Sequence, residues 1–466
     1  MKRAARIFWF GVLLLAILAS AAMAEEPSPV LTLPASLQQV EDYAFLNNTA
    51  IQEVVIPEGT TQIGQHAFDG CTGLTRIVIP ATVRQIGQDA FAGCANAVIA
   101  CEPFSSAHEY AMENGLKYEL PQTPEESFTV ARTSGRYGKI TAYSGSDTVV
   151  VIPEKIGDYI IEEIGSSVFA KNSQLTGVVL PAKMATIGSS AFSGCKNLVN
   201  VSLNDGLETI GSSAFYNCTN LAAIELNQKL RTIGSSAFKN CVSLTSIHIP
   251  DSVTTINSEA FRNCSKLAEC NYPLGWTSTG SSSDTIANIF TGTQLKTLEI
   301  PEGIKQIPAY AFSGCDNFEY FELPESLTKI QEETFYSCTG LSEMVIPANV
   351  ETIEFRAFYG CTGLTSVTLN DGLKTIGLSA FKNCARLTSI HIPDSVTTIK
   401  SEAFRNCSKL AECNYPVGWT STECSSYTIA NIFTGTQLKT LEIPEGIKQI
   451  PAYAFSGCDN FEYFEL

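Results

Sequence analysis

The chain has 466 residues, with 47 acidic side chains against 30 basic ones and a formal net charge of −17. A surface of that sign repels nucleic-acid phosphates and anionic lipid, so the composition argues against nucleic acid as a partner. Beyond the first 24 residues no apolar run is long enough to cross a bilayer.

The chain opens with Lys2, Arg3 and Arg6, an apolar stretch from Ile7 to Ile17, and a small-x-small site at Ala22-Met23-Ala24. This pattern predicts a signal peptide over residues 1–24. No cysteine stands at the cleavage site, so a lipid anchor is not expected. Removing the leader takes away three basic residues and leaves a charge of −20. The mature protein is expected to be secreted or held at the cell surface, with no direct membrane insertion after signal cleavage.

Phenylalanine then returns at a 23-residue interval, at Phe45, Phe68 and Phe91. A fixed period in this range marks one supersecondary unit stacked many times, each touching only its neighbours. Residues 25–120 read as a short array closed by a helical cap, "CEPFSSAHEYAMENGLKYEL". Residues 121–126, "PQTPEE", read as a linker, and residues 127–168, alternating and β-branched, as a strand-rich opening cap. In the long array of residues 169–466 the repeating phenylalanine marks thirteen more coils, from Phe169 to Phe455. Within it, Ile233 to Leu323 and Ile376 to Leu466 are near-identical at an offset of 143 residues, or six coils. Leu466 matches Leu323, which runs on into Pro324, so the long array is expected to be incomplete at its C-terminus.

Each coil carries Ile or Val five residues before the phenylalanine and Gly or Asn two after it, such as Gly194 and Asn217. Those two residue types tolerate left-handed backbone. Leu follows at six after, as in Leu198, and apolar pairs such as Ile247 and Ile249 at nine and eleven after. That last alternation predicts a strand with one buried face. The segment "IGxxAF" leaves room for one or two helical turns at most. A single coil buries too little to offset the ordering of its backbone, at about 1–2 kcal/mol per residue, so the coils must stack.

These residues, in coils such as "LTSIHIPDSVTTINSEAFRNCSKL", resemble the BspA-like leucine-rich repeats over nearly all of the mature chain. The resemblance implies an α/β leucine-rich repeat solenoid with a parallel β-sheet on the concave face and short helical segments on the convex face. It also implies a secreted or surface-attached protein, since several members act as adhesins towards host matrix proteins or other cells.

Sixteen cysteines in an exported chain invite a disulfide framework. Their register points elsewhere. Twelve stand three residues after a phenylalanine, in a slot that Asn48, Asn172, Thr293 and Thr436 fill in other coils. A buried thiol column, donating hydrogen bonds to turn carbonyls within the coil, is the expectation. Cys270 and Cys413 take apolar strand slots, and Cys424 alone lies in a loop. No CxxC pair, HExxH, GxSxG, P-loop or dinucleotide fingerprint occurs, so no metal, cofactor or catalytic residue is assigned and the chain reads as a non-enzyme.

Candidate partner-binding residues are therefore surface ones. The outward strand position, ten after the phenylalanine and nine after Phe290 and Phe433, runs Glu225, His248, Asn271, Glu299, Glu322 and returns as His391, Asn414, Glu442. Trp276 and Trp419 sit in Gly/Ser/Thr-rich insertions of two 29-residue coils. Such tryptophans are either contact residues or plugs folded over the lengthened coil. At about 4.8 Å per coil the two loops lie roughly 29 Å apart, a spacing that two-point attachment could use. The sequence predicts a non-catalytic exported recognition scaffold, an adhesin for proteins or glycans on host or neighbouring cells. The alternatives are a targeting or spacer region of a larger secreted enzyme, or a structural surface-layer component.

Overall fold

The computed structural model describes residues 30–280, 287–423, 430–458 and 462–465. The leader and Cys424 lie outside them. The chain divides after Gln122 into two compact units.

In the first unit the coils stack through two parallel ladders. One orders Val30–Thr32, Glu53–Val55, Arg76–Ile79, Val98–Cys101 and Lys117–Glu119. The other orders Gln39–Val40, Gln62–Ile63 and Gln85–Ile86. The helix Ser106–Glu113 covers the end of the core with Ala107, His108 and Ala111. Its N-cap is Ser105, whose hydroxyl accepts the His108 N–H at 3.3 Å.

The second unit opens on an antiparallel pair, Phe128–Arg132 with Tyr137–Tyr143. From there the pairing is parallel, through Tyr159–Ile164, Thr186–Ile187, Thr209–Ile210, Thr232–Ile233 and Thr255–Ile256. The same ladder resumes at Lys329–Ile330 and runs to Thr398–Ile399. The strand expected from the apolar alternation forms the second ladder, seen in Gly177–Val179 with Asn200–Ser202 and in Glu343–Val345 with Ser366–Thr368.

One expectation is overturned. The "IGxxAF" segments hold no helix, and the helix Ser106–Glu113 is the one α-helix among the described residues. The fold is a parallel β-solenoid, and the anticipated helical face is the ladder of two-residue strands such as Thr209–Ile210 followed by tight turns. The backbone shows why. In each coil the residue two before the phenylalanine has positive φ, as at Ser190 (58°), Ser213 (57°) and Ser236 (56°). The residue two after it does too, as at Gly194 (77°) and Asn217 (58°). Left-handed residues four apart prevent a right-handed helix from propagating. The conformation is held by the neighbouring coil: the N–H groups of Ser190, Phe192 and Gly194 donate to Ser212, Ala214 and Tyr216 carbonyls at 2.8, 2.8 and 2.7 Å. His66, for the same reason, lies in a turn (φ 51°) and not in a helix.

Inside, the phenylalanines form stacks. Phe192 and Phe215 lie 5.2 Å apart at 5°, Phe215 and Phe238 5.4 Å apart at 6°, and the run continues to Phe290. Beside them runs the thiol column. Among the described residues no two cysteines are joined in a disulfide. Cys195, Cys218 and Cys241 donate to the carbonyls of Phe169, Phe192 and Phe215 at 3.0, 3.2 and 3.1 Å. The bond thus reaches the preceding coil and stitches two coils together, where a bond within one coil was expected. Thr293 and Thr436, in the same slot, do bond within their own coil, to Phe290 and Phe433. Burial pushes the thiols up, to about 11 for Cys195 and about 12 for Cys264 and Cys361. These thiols are therefore neutral at physiological pH and poor nucleophiles.

Candidate recognition surface

Strand alternation divides each coil's second strand between core and solvent. In the coil of Phe238, Ile247 and Ile249 point inward, while Ser246 and His248 are exposed. Glu225, Glu299, Glu322, His391 and Glu442 are exposed at equivalent positions.

Asn271 and Asn414 differ from the others in that column. They are half-buried, and their amides are already used. Asn271 Oδ1 accepts the Ile249 N–H at 2.7 Å, and its Nδ2 donates to the Ile249 carbonyl at 2.8 Å. Asn414 does the same to Ile392, at 2.7 and 2.8 Å. Each side chain replaces the missing strand partner where the ladder meets the inserted coil. That explains an Asn at this place twice, and leaves little of it to a ligand.

Trp276 and Trp419 are buried, each only 2% exposed, so neither ring projects from its loop as a contact residue would. Trp276 packs edge-on against Phe290 and Phe312, at 6.4 and 6.1 Å, and against Tyr272 at 5.4 Å. Its Nε1–H donates to the Ser278 carbonyl at 2.9 Å. Trp419 repeats the arrangement with Phe433, Phe455, Tyr415 and Ser421. The phenylalanine stack continues across the lengthened coil, from Phe261 to Phe290 at 5.6 Å, and the indole packs against the edge of the stack where the next coil, that of Phe312, begins. Residue spacing carries this signal: Trp276 stands 23 residues after Val253, and so occupies an apolar core slot.

Residues two earlier in the same strands share the outward face by alternation. Glu269, Tyr320, Glu343 and Glu412 are exposed there and were not singled out from the sequence, although the period-2 pattern places them. Val345, at the column position itself, is 62% exposed. Among the described residues no three His, Cys, Asp or Glu side chains gather as metal ligands would, and no helix is long and apolar enough to cross a membrane.

A repeating open surface on a rigid stack defines a leucine-rich repeat scaffold of the kind that mediates protein interaction. The chain belongs to the BspA-type leucine-rich repeat family: the model described as "BspA type Leucine rich repeat region (6 copies)" matches residues 20–114, 162–283, 284–411 and 328–462. Among curated proteins none matches the sequence. Among solved structures it is similar to a leucine-rich repeat protein from Bacteroides ovatus, at 26% identity and TM-score 0.43, over 73% of this chain and 98% of the other. It is also similar to a leucine-rich cell surface protein from Faecalibacterium prausnitzii, at 23% identity and TM-score 0.42, over 74% and 95%. A leucine-rich repeat protein of T. pallidum matches at 25% identity and TM-score 0.33, over 57% and 91%.

Proposed function

We propose that this protein is an exported, non-catalytic recognition scaffold that acts at the cell surface as an adhesin for proteins or glycans on host or neighbouring cells. The observation that carries the reading is the outward face of the second ladder. It presents side chains in fixed register, coil after coil, with Glu225, His248, Glu299, Glu322, His391 and Glu442 open to solvent. The interior is by contrast closed, with thiols such as Cys218 buried and donating to carbonyls of the preceding coil. Family membership and the leader-like N-terminus support export and a binding role. The near-identity of two blocks, Ile233 to Leu323 and Ile376 to Leu466, offers two copies of one surface, six coils apart, to a repetitive ligand, with avidity gained from the linkage.

Residues 25–466 are to be tested against immobilised matrix proteins, glycans and whole cells, beside a variant carrying Glu225→Gln, Glu299→Gln and Glu442→Gln. The scaffold reading expects saturable binding by the parent and weaker binding by the variant. Binding to none of the three classes of target would remove it.

A further inference from the structure

We propose that Tyr320, Glu322, Glu343 and Val345 form a docking site for an extended, lysine- or arginine-rich protein segment that carries an apolar side chain between its cations. This rests on the ladder face being the binding surface and adds the chemistry of the partner.

Backbone hydrogen bonds fix the register. Glu319 N–H donates to the Lys296 carbonyl at 2.9 Å, and Ser342 N–H to the Glu319 carbonyl at 3.1 Å. One residue further along, Tyr320 stands beside Glu343; three further, Glu322 stands beside Val345. Tyr320 and Val345 are 44% and 62% exposed, and both carboxylates are exposed. The four make a checkerboard, apolar on one diagonal and anionic on the other. Neighbours across coils are about 4.8 Å apart. Diagonal ones are about 7–8 Å apart, close to the spacing of alternate side chains on an extended chain.

Charge is segregated on this face. Glu269, Glu299, Glu322 and Glu343 come from four successive coils, and among the described residues none of them forms an ion pair. From Asn200 to Glu442 neither outward strand position holds a Lys or Arg among the described residues. Elsewhere in the same stack cations are placed one coil from a carboxylate: Lys296 with Glu319 at 2.6 Å, Lys374 with Glu351 at 2.8 Å and Lys439 with Glu462 at 2.7 Å. The fold can neutralise carboxylates by register and does so beside this face, but not on it. The unrelieved repulsion and the two exposed apolar groups are complemented together by a basic segment with an apolar anchor, whose encounter the field also steers.

The test uses residues 25–466 and a labelled peptide alternating Lys and Ser around one central Leu, titrated by fluorescence anisotropy. The proposal expects saturable binding that weakens as salt is raised to about 0.3 M. It expects a loss of about tenfold or more in Glu322→Gln/Glu343→Gln and in Tyr320→Ser/Val345→Ser. Glu58→Gln/Glu113→Gln, an equal charge change in the first unit, leaves binding unchanged. All these side chains are exposed, so circular dichroism should confirm an unaltered fold. Equal affinity of parent and ladder-face variants, or an equal loss in the control, overturns the site. The same variants are then scored for cell adherence. Adherence that is present but unchanged by them leaves the scaffold standing without this site, whereas a parent that adheres to nothing removes the scaffold reading while the peptide titration still decides the site.

Discussion

Cys218 Sγ donates to the carbonyl of Phe192, 26 residues earlier in the chain and one coil away, at 3.2 Å. The bond ties together the two most regular features of the sequence, the aromatic and the thiol of each repeat. Cys→Ala at this position takes away one of the two donors of the Phe192 carbonyl, which keeps the Cys195 N–H at 3.1 Å, and leaves a small void. A loss of about 1–3 kcal/mol is expected in the coils around it. Cys218→Ser keeps a donor and should cost less. Native-state hydrogen exchange at Phe215 and its neighbours measures the difference coil by coil, which suits a stack whose cooperativity need not extend along its whole length.

Trp276→Ala empties the space between Phe290 and Phe312. The expected cost is about 3–5 kcal/mol, the range for truncating a large buried aromatic. Ligand binding per molecule that stays folded should not change. Trp276 and Trp419 are the only tryptophans after the leader, so intrinsic fluorescence reports on them alone. Emission is expected to be blue-shifted and poorly quenched by iodide in the folded protein. Emission at the wavelength of exposed indole would show that the rings face solvent.

Ser213 holds φ at 57°, which a β-branched side chain adopts at a cost. Ser213→Val is expected to destabilise its coil by about 1–2 kcal/mol, and Ser213→Gly to change it little, because the relief of strain offsets the greater freedom of the unfolded chain. Thermal melts of the two variants should therefore separate in opposite directions from what helix propensity predicts, since Val is a better helix former than Gly.

His108 gives the first unit a pH dependence. It is fully buried, Nδ1 accepts the Phe104 N–H at 3.1 Å, and the ring sits edge-on to Tyr118 at 4.7 Å. Burial lowers its pKa below the ordinary 6.5. The unfolded state then binds the proton more readily than the folded one. Stability is fully present above about pH 6.5 and falls as pH drops below it, until the depressed folded value is passed. His108→Gln should flatten that slope below about pH 6.5. An unchanged slope would show that other groups carry it.

The coil length, its core residues and the inward cysteines could all be read from the sequence, because each is a consequence of one period repeated sixteen times. The ladder of two-residue strands was not. Its "TI" pairs are two residues long, too short for strand alternation to register, and Ser213 or Glu259 in left-handed backbone carries no mark that Gly would have supplied. The outward column was legible for Glu225, Glu299 and Glu322, since strand parity alone decides it. Parity could not reveal that Asn271 spends its amide on Ile249, because that bond depends on where the neighbouring ladder stops. The tryptophans were misleading in composition, standing among Gly, Ser and Thr, and informative only in register with Val253.

The claim on which the account stands is that the coils lie flush with their thiols inside. Alkylation of the purified, unreduced protein with iodoacetamide, read by mass spectrometry before and after denaturation in guanidinium, tests it most directly. The account predicts that Cys195, Cys218, Cys241, Cys264, Cys338, Cys361, Cys384 and Cys407 stay unmodified in the native protein and become fully alkylated once it unfolds. Disulfides among these residues, or their rapid alkylation in the native state, would contradict it.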